Sequence, residues 1–72
     1  MKKFAIIDKL QDGDWFEDIF DTEEETIAEA DREWEAFEPI ERAIRSTYVV
    51  AEVDVDEFDN IEHECKTVKI YK

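Results

Sequence analysis

The chain has little of what interrupts or staples a fold: one glycine (Gly13), one proline (Pro39) and one cysteine (Cys65) among 72 residues. A lone cysteine excludes an intramolecular disulfide, which suits a reducing compartment. So little glycine and proline argues against a flexible linker or a disordered tail. Long apolar runs are also missing. The opening MKKFAIIDKLQDGDW has two lysines and a brief apolar stretch ended by Asp8 and Lys9. A secretory leader needs roughly 7–15 apolar residues and a membrane span about 20. We therefore expect a cytoplasmic protein with no membrane partner. Basic residues are scarce: nine Lys and Arg stand against 22 Asp and Glu, a formal net charge of −13. Affinity for phosphate comes from Lys and Arg, so direct binding to nucleic acid or anionic lipid is not expected.

What is present suffices for one small domain. A chain this short buries only about 60% of its unfolded surface. Five Phe, two Trp and two Tyr within a 43% hydrophobic composition can supply its core. Charge is unevenly placed. Residues 12–62 hold twenty acids against three bases (Arg32, Arg42 and Arg45), while the two ends carry Lys2, Lys3, Lys9, Lys66, Lys69 and Lys72.

KKFAIIDKL reads as a strand, and Asp12-Gly13 as a two-residue hairpin turn into a second strand, DWFEDIFD. That turn would set Leu10 opposite Trp15 and Ile6 opposite Ile19, with apolar residues on both faces. In DTEEETIAEADREWEAF, Thr22 and Glu25 form a capping box, and Ile27, Ala30, Trp34 and Phe37 make one helical stripe. Pro39 stops or kinks that helix and opens a short second one, PIERAIRS, with Ile40, Ala43 and Ile44 inward. Glu38–Arg42 and Glu41–Arg45 are favourable i,i+4 pairs within it. TYVVAEVDVDEF alternates as a third strand, with Val49, Ala51, Val53 and Val55 on one side and Val50, Glu52, Asp54 and Asp56 on the other. EFDNIEHE makes a turn, and ECKTVKIYK a fourth strand with Val68 and Ile70 opposing Thr67, Lys69 and Tyr71. The expectation is an α+β fold: an antiparallel sheet of about four strands under one kinked or two short helices, in ββααββ order. The lysine-rich terminal strands would suit sheet edges or positions beside acidic neighbours.

No motif fixes a chemistry. As a calcium loop, the acidic stretch from Asp54 would need Gly at its sixth position and Glu at its twelfth, where Asp59 and Cys65 stand. Counting from Asp56 puts Phe58, Ile61 and Thr67 at positions that need ligands or glycine. Only weak millimolar association of Mg²⁺ or Ca²⁺ with such carboxylates is foreseen. His63 and Cys65 share a strand face, but zinc wants four ligands, and the chain has no second His or Cys unless a dimer completes the shell. Nucleophilic catalysis by Cys65 lacks an evident orienting group or oxyanion donors. Paired carboxylates would need a deep pocket to separate their pKa values. We expect neither enzyme nor cofactor. Trp34 and Phe37 read as core, and Trp15 beside the turn as core or an interface anchor.

The acids themselves are the positive signal. Glu25, Glu29 and Glu33 form an i,i+4 row, extended by Asp21–Glu25, and Asp31–Glu35 adds another like-charge pair. Each such pair costs about 0.2–0.5 kcal/mol. Glu52, Asp54 and Asp56 repeat every ~6.7 Å along the third strand, and the helical rows every ~6 Å. Two carboxylate ladders on a compact body approximate the field of a nucleic-acid backbone and would be steered to a groove lined with Arg and Lys. In charge, size and lack of catalytic motifs the chain resembles small phage or mobile-element inhibitors of the anti-restriction and anti-CRISPR type. The resemblance is one of composition over the whole chain and transfers no residue. The expected function is a non-catalytic acidic binding protein, a nucleic-acid mimic whose partner is a basic protein surface that handles nucleic acid. Its partner-binding residues would be Glu25, Glu29, Asp31, Glu33, Glu35, Glu52, Asp54 and Asp56. The alternative is a homodimeric interaction module using the apolar face around Trp15, Ile19 and Ile6.

Overall fold

The computed structural model describes the backbone of residues 1–10, 13–44 and 47–72 and the side chains of residues 1–8, 18–44 and 48–72. Asp12 of the expected turn, the Glu41–Arg45 pair and the Trp15 side chain lie outside the described residues. The elements run β1 (Lys2–Leu10), β2 (Gly13–Phe20), α1 (Glu23–Ala36), α2 (Pro39–Ile44), β3 (Thr47–Val55) and β4 (Ile61–Tyr71), the expected ββααββ order. All strand pairs are antiparallel, and the sheet order is β2-β1-β3-β4. Lysine-rich β1 is therefore central rather than an edge; its Lys2 meets Glu52 of β3, and its Lys3 meets Asp21 and Asp59 outside the strands.

Both faces of the central pair β1/β3 are buried, because both strands alternate apolar residues outward in each direction. One face gathers Ala5, Ile7, Val49, Ala51, Val53 and Val55, with Ile19 and Ile61 packed against it. The other gathers Ile6, Tyr48, Val50 and Tyr71 beneath Ala30 of α1, with Phe20, Ile27, Trp34, Phe37 and Val68 around them. Ile6 and Ile19 thus lie on opposite faces, so no single face unites them. The reason is register. Leu10 pairs with Gly13, and beyond an irregularity between Ile6 and Ile7 the partner of Ile6 is Asp18 and that of Ala5 is Ile19. Glu17 is the extra residue, and a bulge shifts every side chain beyond it.

α1 begins as expected. Thr22 is extended at its N-cap, and its hydroxyl accepts from the Glu25 N–H at 3.2 Å. The Glu25 carboxylate accepts from that same hydroxyl at 3.0 Å rather than from the Thr22 N–H. Thr26, fully buried, donates its hydroxyl to the Thr22 carbonyl at 2.7 Å. The stripe of Ile27, Ala30, Trp34 and Phe37 faces the sheet. Trp34 stacks on Tyr48 with ring centroids 5.6 Å apart and an interplanar angle of 28°, and it lies 5.7 Å from the Tyr71 ring. Phe37 meets Tyr48 edge-on at 5.4 Å. Such ring pairs are each worth about 0.5–1.5 kcal/mol beyond their buried area.

α2 departs from expectation. Ile40 is 70% and Ile44 65% exposed, and Ala43 is exposed as well. The helix has six residues, too few to lay a stripe on the sheet. Arg42 holds it to α1 instead of pairing with Glu38. Its guanidinium donates to the Trp34 carbonyl at 3.1 Å and the Glu35 carbonyl at 3.3 Å, and sits 5.4 Å from the centroid of the Trp34 ring. A cation there satisfies carbonyls that a helix C-terminus leaves open.

β4 also differs. It starts at Ile61, inside the expected turn, and its pairing with β3 breaks at three places. The first break makes Val68 the extra residue. Val68 and Tyr71 consequently both face α1, while Ile70 is 54% exposed.

Candidate functional site

The described acids divide into those the fold uses and those it leaves to solvent. At 100° per residue, Ala28 and Arg32 form the outermost line of α1. Glu25, Glu29 and Glu33 do not run along that line. They drift from it down one flank toward the sheet. Glu25 is exposed and serves the N-cap, Glu29 is half-buried and held by the Arg32 guanidinium, and Glu33 accepts the Tyr48 hydroxyl at 2.5 Å. Asp31 lies on the opposite flank. It accepts the Tyr71 hydroxyl at 2.5 Å and the Lys69 ammonium at 2.8 Å. Those two donors, Lys69 first, hold its carboxyl below the usual range. Burial, reinforced by the Asp31 carboxylate, pushes the Tyr71 phenol up. Glu35 is exposed next to Asp31.

Beside Asp31 and Glu35 lies an open groove of about 400 Å³ between α1 and the end of β4, lined also by Trp34, Lys69 and Tyr71. The Lys69 ammonium sits 4.7 Å from the centroid of the Tyr71 ring. Rings, carboxylates and an ammonium thus meet in one depression.

The strand ladder is matched from within. Glu52 lies 3.8 Å from the Lys2 ammonium, and Asp54 lies 3.4 Å from His63 Nε2 and 3.8 Å from the Met1 nitrogen. Asp56 turns into the following loop, where it accepts from the backbone N–H groups of Phe58 and Asn60, both at 2.9 Å. These bonds, Asn60's first, pull its carboxyl down. Asp59 closes the same loop in the left-handed region at φ 61° and meets Lys3 at 2.9 Å, while Asp21 reaches that lysine at 3.3 Å. The eight residues named from the sequence therefore form no single patch. Glu52 and Asp54 gather at one end of β3, Asp31 and Glu35 border the groove, and Glu29 and Glu33 occupy the other flank of α1.

Two features escaped sequence reasoning. Tyr48 and Tyr71 serve as hydroxyl donors to helix carboxylates, which needs the β3–β4 pairing and the docking angle of α1. Asp54 also stands beside His63 and Cys65. Regular antiparallel register from the 56–60 turn would set Asp54 opposite Glu62; a bulge at Glu62 brings His63 there instead, and no local signal marks it.

No protein-family model matches the chain, and neither a curated protein nor a solved structure matches it. Among the described residues, no helix is long and apolar enough to cross a membrane.

Proposed function

We propose that the protein is a non-catalytic acidic binding module that occupies a basic, nucleic-acid-handling surface of a partner protein. One observation carries the reading: Glu23, Glu24, Glu35 and Glu38 remain exposed on the helical side, beside Glu25, which is exposed while it serves the N-cap, and the fold employs Glu29, Asp31 and Glu33. The last turn of α1 holds no basic residue to offset them. Like charge left in this arrangement opposes folding modestly and attracts an arginine- or lysine-lined surface from a distance. The groove beside Glu35 supports it further. A partner's guanidinium entering there meets the Trp34 ring and the Glu35 carboxylate, and competes with Lys69 for Asp31 and the Tyr71 ring in a groove that Lys72 also lines. The reading thus keeps Glu25, Asp31 and Glu35 at its centre, adds Glu23 and Glu24, and gives Glu52, Asp54 and Asp56 to local structure.

Capture from host lysate at low and high salt, followed by challenge with duplex DNA, tests it. The expected partner is a nucleic-acid-binding protein released both by salt and by DNA. Changing Glu23, Glu24 and Glu35 to Gln should remove capture while lowering the melting temperature only slightly, through loss of two acids from the first turn of α1. Capture that survives excess DNA, or is equal for this triple variant, would refute the reading.

A further inference from the structure

Where β3 and β4 leave the core, three side chains of different donor chemistry converge. The Asp54 carboxylate, the His63 imidazole and the Cys65 thiol each offer a ligand atom, and the three atoms lie within 4.8 Å of one another. Strand pairing explains the meeting. Asp54 is opposite His63, and the β3–β4 register breaks between Glu52 and Val53 and again between Asp54 and Val55. Cys65 and Glu62 are the extra residues of these two breaks, so a bulge lies on each side of His63. Bulges re-aim side chains, and here two of them flank one imidazole.

The distances separate two chemistries. Cys65 Sγ is 3.6 Å from His63 Nε2, and Asp54 Oδ2 is 3.4 Å from the same nitrogen. A thiol–imidazole–carboxylate relay uses the two ring nitrogens separately, one for the nucleophile and one for the acid. Sharing one nitrogen is instead how ligands converge on a common centre. Tetrahedral zinc with Zn–S of about 2.3 Å and Zn–N or Zn–O of about 2.0 Å spaces S from N by about 3.5 Å and N from O by about 3.3 Å. Two of the three edges already have that length. The third edge, from the carboxylate to the sulfur, is within 4.8 Å.

From this geometry we infer that Asp54, His63 and Cys65 form a site for Zn²⁺, with a fourth position left to water. The ion joins β3 to β4 where two bulges interrupt their ladder. A thiolate and an imidazole select a borderline-soft divalent ion over Mg²⁺ or Ca²⁺, which prefer oxygen alone. That preference sets the site apart from the acids elsewhere on the surface. Lys2, whose ammonium lies 3.6 Å from Cys65 Sγ, is the resident cation the metal displaces from the sulfur. The inference is independent of any partner for the helical face.

Titration of the metal-free protein with Co²⁺ and then Zn²⁺, in excess Mg²⁺ to occupy the remaining carboxylates, provides the test. We expect one Co²⁺ per chain, a near-ultraviolet sulfur-to-cobalt charge-transfer band, and displacement by Zn²⁺. Cys65→Ser should abolish the band. His63→Ala and Asp54→Asn should each weaken binding by at least about tenfold, the lower end of what loss of an outer-shell partner alone costs. Zn²⁺ should raise the melting temperature of the native chain and leave that of Cys65→Ser unchanged, which keeps the test valid if a variant is itself less stable. Absence of the band, equal binding by Cys65→Ser, or one ion shared by two chains would overturn the inference.

Discussion

The acids of β3 and its loop and the acids of α1 start from similar sequence, dense in carboxylates and poor in bases, and reach different surroundings. On β3 the neighbouring strands bring basic side chains alongside. β1 supplies Lys2 to Glu52, the 59 position meets Lys3, and β4 sets His63 against Asp54. A helix lying on one face of a sheet has neighbours on its inner side only. Its inner flanks find Tyr48, Tyr71 and Lys69, and its outer side has Arg32 alone among the described residues. Equal charge density in a sequence therefore does not give equal surface charge. Pairing geometry decides which carboxylates are spent inside the fold.

The harshest way to break this contrast is to remove the anchor that fixes the inner flanks. Trp34→Ala should cost about 3 kcal/mol, the low end for an aromatic truncation because the indole is half-buried. Denaturant unfolding measures this, and a loss under about 1 kcal/mol would show that the aromatic cluster does not seat α1. Tyr71→Phe should cost about 1 kcal/mol by deleting a hydroxyl bond to a carboxylate that also has solvent and Lys69. An unchanged midpoint would count Asp31 among the unused acids.

Acid titration distinguishes used from unused carboxylates without mutation. Asp31 and Asp56 have folded pKa values depressed below the ordinary ~3.9 of aspartate, so each releases protons on folding. Their contribution is present above that value and is lost as pH falls through the folded pKa. The melting temperature should drop more steeply below about pH 4 in the native chain than in an Asp31→Asn/Asp56→Asn double variant. Tyr71 has the opposite sign. Its raised pKa gives stability that is complete below the ordinary ~10 and fades at higher pH, so its phenolate absorbance should emerge only in strong alkali. The smallest effects belong to the outer side. Either Glu35→Gln or Glu24→Gln should change stability by less than about 0.5 kcal/mol. The first should bring a slight gain from relief of like charge with Asp31. The second should bring a slight loss, because the first turn of α1 favours an acid.

Most of the architecture was legible because it rests on local signals. The capping box at Thr22, the stripe through Trp34, proline opening α2 and the alternation of Val49 to Val55 all act within a few residues. Register was not legible. Glu17, Cys65 and Val68 lie in bulges that no local propensity marks; the extra Glu17 in β2 moved Ile19 away from Ile6, and the extra Val68 in β4 turned that residue to the helix. The inward placement of Ile40 and Ile44 failed for a related reason. A helical pattern shows which residues share a side, and not whether anything lies opposite. Of the site, residue types were readable and roles were not, since Asp31 and Glu33 take theirs from hydroxyls that arrive from β4 and β3.

Asp31 is therefore both a visible charge and a rivet. Its oxygen receives a phenol hydroxyl from the sheet, so a partner that takes this carboxylate for itself prises at the joint between helix and strand. Contact with a binder ordinarily slows amide exchange beneath it. Engagement at this acid would quicken exchange in α1, and the sign of that change reports whether the groove or only the outer side of the helix has been seized.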